Sequence, residues 1–272
     1  MKDDEYALID TGSRKKLERF GPYLLVRPCP QALWEPLFPD KWRDPSGEFV
    51  RRPRNVWKKK ELPPSWVISF RLQRFKLVPT DFGHLGIFPE HGMHREKMCH
   101  SGIREGDEVL NLFAYSGGAT VALAKKKVAV CHVDASSGMV DRAKENVALN
   151  GVGDASVRWI VDDVCTFVKR EVKRGKRYRG IILDPPTFGR GTKGQVFTVE
   201  RDLYPLLLSC AKLITDPGRI LLTSHTPTLT PSILGSLLKR TQKGGKVTYG
   251  ETVISSPLFS LPAGGYAWWE RG

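Results

Sequence analysis

No stretch of this 272-residue chain comes near the ~20 consecutive apolar residues that a membrane-spanning helix requires. The opening MKDDEYALID is acidic and polar and lacks the apolar core of a secretory leader, which points to a cytoplasmic protein. Cysteine is scarce: five residues, odd in number and scattered, make no disulfide framework, and reduced thiols are the simpler reading. The turn at 113–118 lacks the spacing G-x-G-x-x-G, which counts against a nicotinamide dehydrogenase, since a pyrophosphate cofactor normally needs it there. Acidic residues are outnumbered, 29 against 43 Lys and Arg, for a formal charge of +14. A field of that size favours polyanions, because neutralising phosphates releases counterions, so a nucleic acid is the expected partner. An anionic membrane could use the same charge, but no basic amphipathic helix with a bulky apolar face is present, and no membrane partner is expected.

What is there divides in two by texture. Residues 1–82 are rich in proline (Pro28, Pro30, Pro36, Pro39, Pro45, Pro53, Pro63, Pro64), tryptophan (Trp34, Trp42, Trp57, Trp66) and cations. Prolines at that density exclude long helices, and short alternating runs at 23–27 and 67–70 predict strands of a small β-rich module. Residues 83–272 form the second expected domain. From Asp107 onward apolar runs alternate with helical stretches: strands at 109–113, 128–133, 157–161, 180–183 and 219–223, and helices from Gly118 to about Lys126, then at 137–150, 166–174 and 198–214. Repeated βα units predict an α/β fold, a Rossmann-like, doubly wound and mostly parallel sheet with right-handed crossovers. A helix near 231–240 and two β-like runs, 247–255 and 265–269, would bring the sheet to seven strands with an antiparallel edge.

In such sheets ligands lie beyond the carboxyl ends of the strands. The first strand runs into Phe113-Ala114-Tyr115-Ser116-Gly117-Gly118, whose small residues let the backbone approach a ligand at a helix N-terminus. The second ends at Asp134, placed to accept from both ribose hydroxyls of an adenosine, and the third at Asp162-Asp163, suited to an adenine amino group. Each has a plain alternative, a tight turn for the glycines and a helix N-cap for the acids. The fourth strand leads into Asp184-Pro185-Pro186-Thr187-Phe188. Two prolines hold the chain extended with free carbonyls, an acid stands before them and an aromatic behind, a rim able to clamp a flat base.

In order, VLNLFAYSGGAT, VDASSGMVDRAKENVALNG, DDVCTFV and LDPPTFGRG resemble motifs I to IV of the 23S ribosomal RNA methyltransferase I/K/L group of class I S-adenosylmethionine (SAM) methyltransferases. The resemblance runs from about Gly83 to Thr223, and residues 85–91 look like the segment that lies over the cofactor in that group. It implies SAM as cofactor, held by Phe88, Glu90, Asn111, Phe113, Ala114, Tyr115, Ser116, Gly117, Asp134, Ala135, Ser136, Asp162, Asp163, Val164 and Asp184, with Asp163 preferred to Asp162 at the adenine. Asp184, Pro185, Pro186 and Phe188 would face the transferred methyl and its acceptor.

One departure narrows the chemistry. Cytosine-C5 members of the group attack the ring with a cysteine after the fifth strand, whereas this chain has Leu222-Thr223-Ser224-His225-Thr226-Pro227. Without a thiolate to add at C6, cytosine C5 is unreactive, so transfer to a nitrogen is favoured. His225 is either the base of that reaction or a strand-end cap. The spacing His91-x-x-His94…Cys99-His100 permits zinc, but no second cysteine pair closes the set and no metal is expected. The tract of Arg51, Arg52, Arg54 and Trp57 reads as an RNA-gripping surface or a solvated loop, with Arg190 beside the rim as a further RNA contact. The basic tract 169–179 is expected at the far, amino-terminal edge of the sheet. The enzyme expected is thus a SAM-dependent methyltransferase acting on RNA, with a ribosomal RNA base nitrogen as target. Its rivals are methylation of a protein or small molecule, and a catalytically inactive SAM-binding RNA assembly factor.

Overall fold

The computed structural model describes residues 4–51, 55–59, 62–191 and 194–272. Two compact units divide the chain: Met1–Pro89 with Val253–Pro262, and Glu90–Thr252 with Ala263–Gly272. Among the described residues no helix is long and apolar enough to cross a membrane.

The first unit holds β1 (Tyr6–Gly12), β2 (Lys15–Phe20), β3 (Tyr23–Pro28), β4 (Gly47–Val50) and β5 (Val56–Lys59), hydrogen-bonded in that order into one sheet. A separate hairpin is formed by β6 (Trp66–Phe70) and β7 (Gln73–Leu77). Both runs expected to be strands, 23–27 and 67–70, lie in β3 and β6. In β6 and β7 alternation decides the faces: Ile68, Phe75 and Leu77 are fully buried while Val67 and Arg74 are exposed. The proline-rich stretch after β3 has little regular structure, so its backbone donors need other partners. The buried carboxylate of Asp10 supplies them, accepting from the N–H groups of Leu37 and Phe38 and from Nε1 of Trp42. A second buried carboxylate, Glu18, accepts from Nε of Arg27 at 2.7 Å and pairs with Lys16 at 3.1 Å.

The second unit begins with α1 (Gly92–Cys99) and continues with β8 (Glu108–Leu112), α2 (Gly118–Ala124), β9 (Ala129–Asp134), α3 (Ser137–Leu149), β10 (Val157–Val161), α4 (Val164–Lys173) and β11 (Tyr178–Leu183). A short hairpin follows, β12 (Phe188–Arg190) with β13 (Val196–Thr198), then α5 (Val199–Cys210), β14 (Ile214–Ser224), α6 (Pro231–Thr241), β15 (Lys246–Ser255) and β16 (Ser260–Arg271). The sheet order is β10-β9-β8-β11-β14-β16-β15. The first five strands pair in parallel and β16 runs antiparallel to β14, the seven-stranded doubly wound sheet with an antiparallel edge that the sequence predicts. The turn between β15 and β16 groups with the first unit, where Gln31 donates to the Pro262 carbonyl over 2.8 Å.

Strands flanked by helices on both faces must be apolar on both. Leu110, Leu112, Ile181, Leu183, Ile220 and Leu222 pack into the core on one face, Val109, Ile182 and Leu221 into the core on the other. Each such buried side chain contributes roughly 1.5–3 kcal/mol. Strand order reverses between β8 and β11, and the carboxyl ends of the strands on either side of that point define the cleft where ligands bind in this architecture.

Two local expectations are corrected. The helix expected over 198–214 ends at Cys210, because Ile214 is taken into the sheet opposite Tyr178. The strand expected from Arg219 accordingly starts at Ile214 and carries Asp216-Pro217-Gly218 as a bulge between two paired stretches. Gly218 is required there, since a Cβ would stand 2.4 Å from the Thr215 carbonyl. Helix α1 and the β12–β13 hairpin carry no periodic signal long enough to be read in advance.

Candidate functional site

The loop after β8 is strained in a regular way. Phe113, Tyr115 and Gly117 have φ of +54°, +50° and +81°, three left-handed residues at alternate positions. For the two aromatic residues this is costly, on the order of 1–2 kcal/mol each. The surroundings hold the loop in place: Asn146 donates to the Ser116 carbonyl over 2.9 Å, and the N–H of Ala114 donates to the Val133 carbonyl over 3.1 Å. Gly117 lies so close to α3 that a Cβ would meet that of Ala143 at 2.8 Å. The result is a backbone cradle at the start of α2.

Asp134, at the end of β9, is bound into that cradle. Its Oδ2 accepts the Tyr115 N–H at 2.8 Å and its Oδ1 the Ser136 N–H at 2.9 Å. Burial pushes its carboxyl pKa upward, with the backbone donors of Ser136, Tyr115 and Ala135 opposing that shift. Each oxygen keeps a lone pair beyond these bonds, which is what two ribose hydroxyls would use. Ser136 in turn caps α3, accepting from the Met139 N–H.

The two acids after β10 divide their work. Asp163 is the N-cap of α4, its Oδ1 accepting the Thr166 N–H at 2.8 Å, while a Cβ on Gly191 would stand 3.2 Å from its Oδ2. A side chain at 191 would therefore crowd Oδ2. Asp162 is paired with Arg170 of the same helix. Val164 is buried in the core. Asn111, expected at the cofactor, donates instead to Thr120, whose hydroxyl also meets Nδ1 of His132 at 2.9 Å. The ring of Phe113 packs against Phe197 of β13, and only its backbone belongs to the cradle.

The carboxyl end of β11 gathers several titratable groups. Oδ1 of Asp184 accepts from the Thr223 hydroxyl at 2.7 Å and Oδ2 faces Nε2 of His91 at 3.1 Å. Nε2 of His91 lies 3.1 Å from Nε2 of His225, and Nδ1 of His225 lies 3.9 Å from Oε1 of Glu90. Burial alone would raise the Asp184 pKa, but His91, with His225 and the Thr223 hydrogen bond, holds it well below the usual carboxylate range. Burial works against charge on His91, and Asp184 and Glu90 overcome it, so its pKa is raised. Glu90 is 8% exposed and its Oε2 has no hydrogen-bond partner among the described residues. Pro185 is buried, whereas Pro186 and Phe188 are exposed, Phe188 at 55%. Arg190 is exposed on the same hairpin.

Glu90 thus joins the Asp184 cluster, and so does His91, which enters the sequence reading as the end of the segment 85–91 and as a candidate zinc ligand. Its link to His225 spans 134 residues and leaves no local signal. The spacing His91-x-x-His94…Cys99-His100 does not assemble a site. His94 bonds to Thr252, Nδ1 of His100 to the Glu96 carbonyl, and burial raises the Cys99 thiol to about 11. Among the described residues, the His, Cys and acidic side chains that converge as a trio are His91, Asp184 and His225.

Several expected residues lie in the other unit. Phe88 packs edge-on against His84 with ring centroids 5.2 Å apart. Trp57 donates to the Thr80 carbonyl and its ring lies against Phe49. Arg51 is exposed; Arg52 and Arg54 lie outside the described residues. The tract 169–179 is found at the amino-terminal edge of the sheet, where Arg158 and Arg174 share the buried carboxylate of Glu171.

Comparison with known proteins agrees with this geometry. Over 155 residues the chain is 35% identical to the ribosomal RNA large subunit methyltransferase K/L of Pseudoalteromonas atlantica, which is 56% of this chain and 21% of that protein. The protein of the same name from Methylococcus capsulatus is 35% identical over 153 residues. The chain thus spans about a fifth of the length of these relatives. The crystal structure of a SAM-dependent methyltransferase from Agrobacterium tumefaciens superimposes with a TM-score of 0.94 at 34% identity, covering 98% of this chain and 91% of that one. Residues 52–261 match the model of the S-adenosylmethionine-dependent methyltransferase family, and the chain belongs to that family.

Proposed function

We propose that this SAM-dependent methyltransferase modifies RNA, ribosomal RNA foremost, at a nitrogen of a base. The observation that carries the reading is the exit of β11. A carboxylate fixed from two sides by Thr223 and His91 stands before two prolines and an exposed aromatic, a rim that fits the hydrogen-bonding edge and flat face of an extruded base. SAM, when bound, supplies an electrophilic methyl group. The chain supplies position: the cradle 113–117 for the methionine part, Asp134 for the ribose, Asp163 for the adenine and Asp184 for the acceptor.

Nitrogen is favoured by the state of the thiols. Burial raises Cys99 and Cys165 to about 11 and Cys131 to about 12, and also raises Cys29 and Cys210. None is poised as the thiolate that cytosine C5 chemistry needs. RNA is favoured by the charge of +14 and by the names of the relatives. In this reading the first unit is the RNA-holding module, with Arg51 and Trp57 on its fifth strand and the loop before it, and Arg190 works beside the rim; the cytoplasm is its compartment. Protein-free ribosomal RNA and labelled SAM provide the test. Label in RNA nucleosides supports the reading, and label confined to protein or small molecules overturns it.

A further inference from the structure

We infer that the outward face of α4 and the turn after it bind the sugar-phosphate backbone of double-stranded RNA. The inference rests on the RNA reading above and adds to it a second contact surface, outside the cleft and without a part in the chemistry.

The pattern begins with burial. Val164, Phe167, Val168 and Glu171 face inward, at intervals of three and four that define one side of a helix. The other side is cationic throughout. From Asp163 to Tyr178 seven residues are exposed; six are Lys169, Arg170, Lys173, Arg174, Lys176 and Arg177, and the seventh is Gly175. Helix α3 shows the ordinary arrangement, with Asp141, Lys144 and Glu145 on its exposed side and Lys144 paired with Asp141 at 2.9 Å. On α4, Lys169 and Lys173 are like charges four residues apart, as are Arg170 and Arg174, and such pairs weaken a helix. Nearby acids offset only part of this. Asp162 pairs with Arg170, and the buried Glu171 takes Arg174 at 2.9 Å and both terminal nitrogens of Arg158, from β10, at 2.9 and 3.1 Å. Asp202 of α5 is bound by Arg201, which leaves Lys169 and Lys173 without an ion pair among the described residues. Lys176 stands 3.9 Å from Glu108, and Nη1 of Arg177 donates to the Lys212 carbonyl at 2.9 Å, so the turn is tethered. A guanidinium held by one carboxylate keeps further N–H donors for a second anion. The helix dipole favours Arg170 and Lys173 in the last turn, but it does not call for Lys169 or for the two cations beyond the helix.

What the face lacks selects its partner. Phe167 and Tyr178 are both buried, so no aromatic ring is offered to stack on an unpaired base. Lysine and arginine alone grip phosphates and ribose, the groups through which duplex RNA is recognised. An anionic bilayer would call for bulky apolar side chains on the outward face, and none is exposed between 163 and 178. Position agrees with an arm of duplex leading away from the target nucleotide. Lys169 and Lys173 stand ~9 and ~15 Å along the helix axis from the Asp163 cap, so the face starts beside the cofactor acid and runs toward the amino-terminal edge of the sheet.

The experiment compares the whole chain with the double variant Lys169→Gln, Lys173→Gln. Binding to an RNA duplex of ~20 base pairs, and to a single strand of the same length, is followed by fluorescence anisotropy over a range of salt. Duplex affinity of the variant should fall at least ~5-fold, and the slope of log affinity against log salt should shrink by about two, one for each lysine. The KM for protein-free ribosomal RNA in transfer of labelled methyl should rise in step. SAM affinity should match the parent, and the thermal midpoint should hold or rise, because a repelling pair is gone. Lys144→Gln on α3 serves as control and should leave duplex binding as it is. Unchanged duplex affinity and salt slope in the double variant refute the inference, and the RNA reading stands as long as the parent methylates ribosomal RNA. Tighter binding of the single strand than of the duplex refutes it as well, and so does a preference for phosphatidylserine vesicles over duplex. A parent that transfers no label to ribosomal RNA removes the RNA reading and the inference with it.

Discussion

The N–H of Tyr115 donates to Oδ2 of Asp134 over 2.8 Å across 19 residues of sequence, locking the cradle after β8 to the end of β9. Asp134→Ala removes both the ribose acceptor and the anchor of the cradle. SAM affinity by titration calorimetry should fall by about 1–3 kcal/mol. Unchanged affinity would remove Asp134 from the site.

Gly117 combines a left-handed φ of +81° with a backbone approach that puts any Cβ 2.8 Å from that of Ala143. Gly117→Ala therefore meets two penalties, the left-handed conformation at about 1–2 kcal/mol and a contact that α3 must yield to. Both the thermal midpoint and SAM affinity should drop. A neutral result would mean that the cradle can relax.

Asp184→Asn keeps the size of the side chain and removes the charge facing His91. SAM binding should stay within a factor of about three while the transfer rate falls by ~100-fold or more. The raised pKa of His91 should also come down, because Asp184 is the main group raising it against burial. An NMR titration of the imidazole in the SAM-free protein checks the second point independently of turnover.

His132, fully buried against Thr120 and Trp159, has its pKa lowered to about 3 by burial first and by Lys144 second. The folded value lies below the unfolded one, near 6.5, so the folded state resists protonation. Its contribution to stability is whole above pH 6.5 and is lost as pH falls toward 3. Two pH units into that window the loss is about 2–3 kcal/mol. His132→Asn should flatten the urea-midpoint profile between pH 6.5 and 4.5; an equally steep profile would assign the acid loss to other groups.

Much of the fold was legible because α/β strands write their burial into consecutive residues. Ile181-Ile182-Leu183 is apolar on both faces since each face meets a helical layer. The strand ends could be read for the same reason: Asp134, the pair Asp162-Asp163 and Asp184 each mark where the chain leaves the sheet. Less was legible where one residue answers to a distant partner. Ile214 reads as the last turn of a helix and becomes a strand because Tyr178 pairs with it. Asn111 ends up serving Thr120 and His132, a buried polar chain that no spacing announces.

By itself the sequence determined the sheet, its edge, the order of the loops at its carboxyl ends and the acids those loops carry, because all of these follow from local periodicity and turn chemistry. Only the tertiary structure decided what surrounds Asp184. His91 enters from the segment before α1, His225 from the end of β14 and Thr223 from β14 itself, and they meet because parallel strands bring chain ends remote in sequence to one edge of the sheet. Contacts of about 3 Å then bind these groups to one another, and that is a property of the fold rather than of composition.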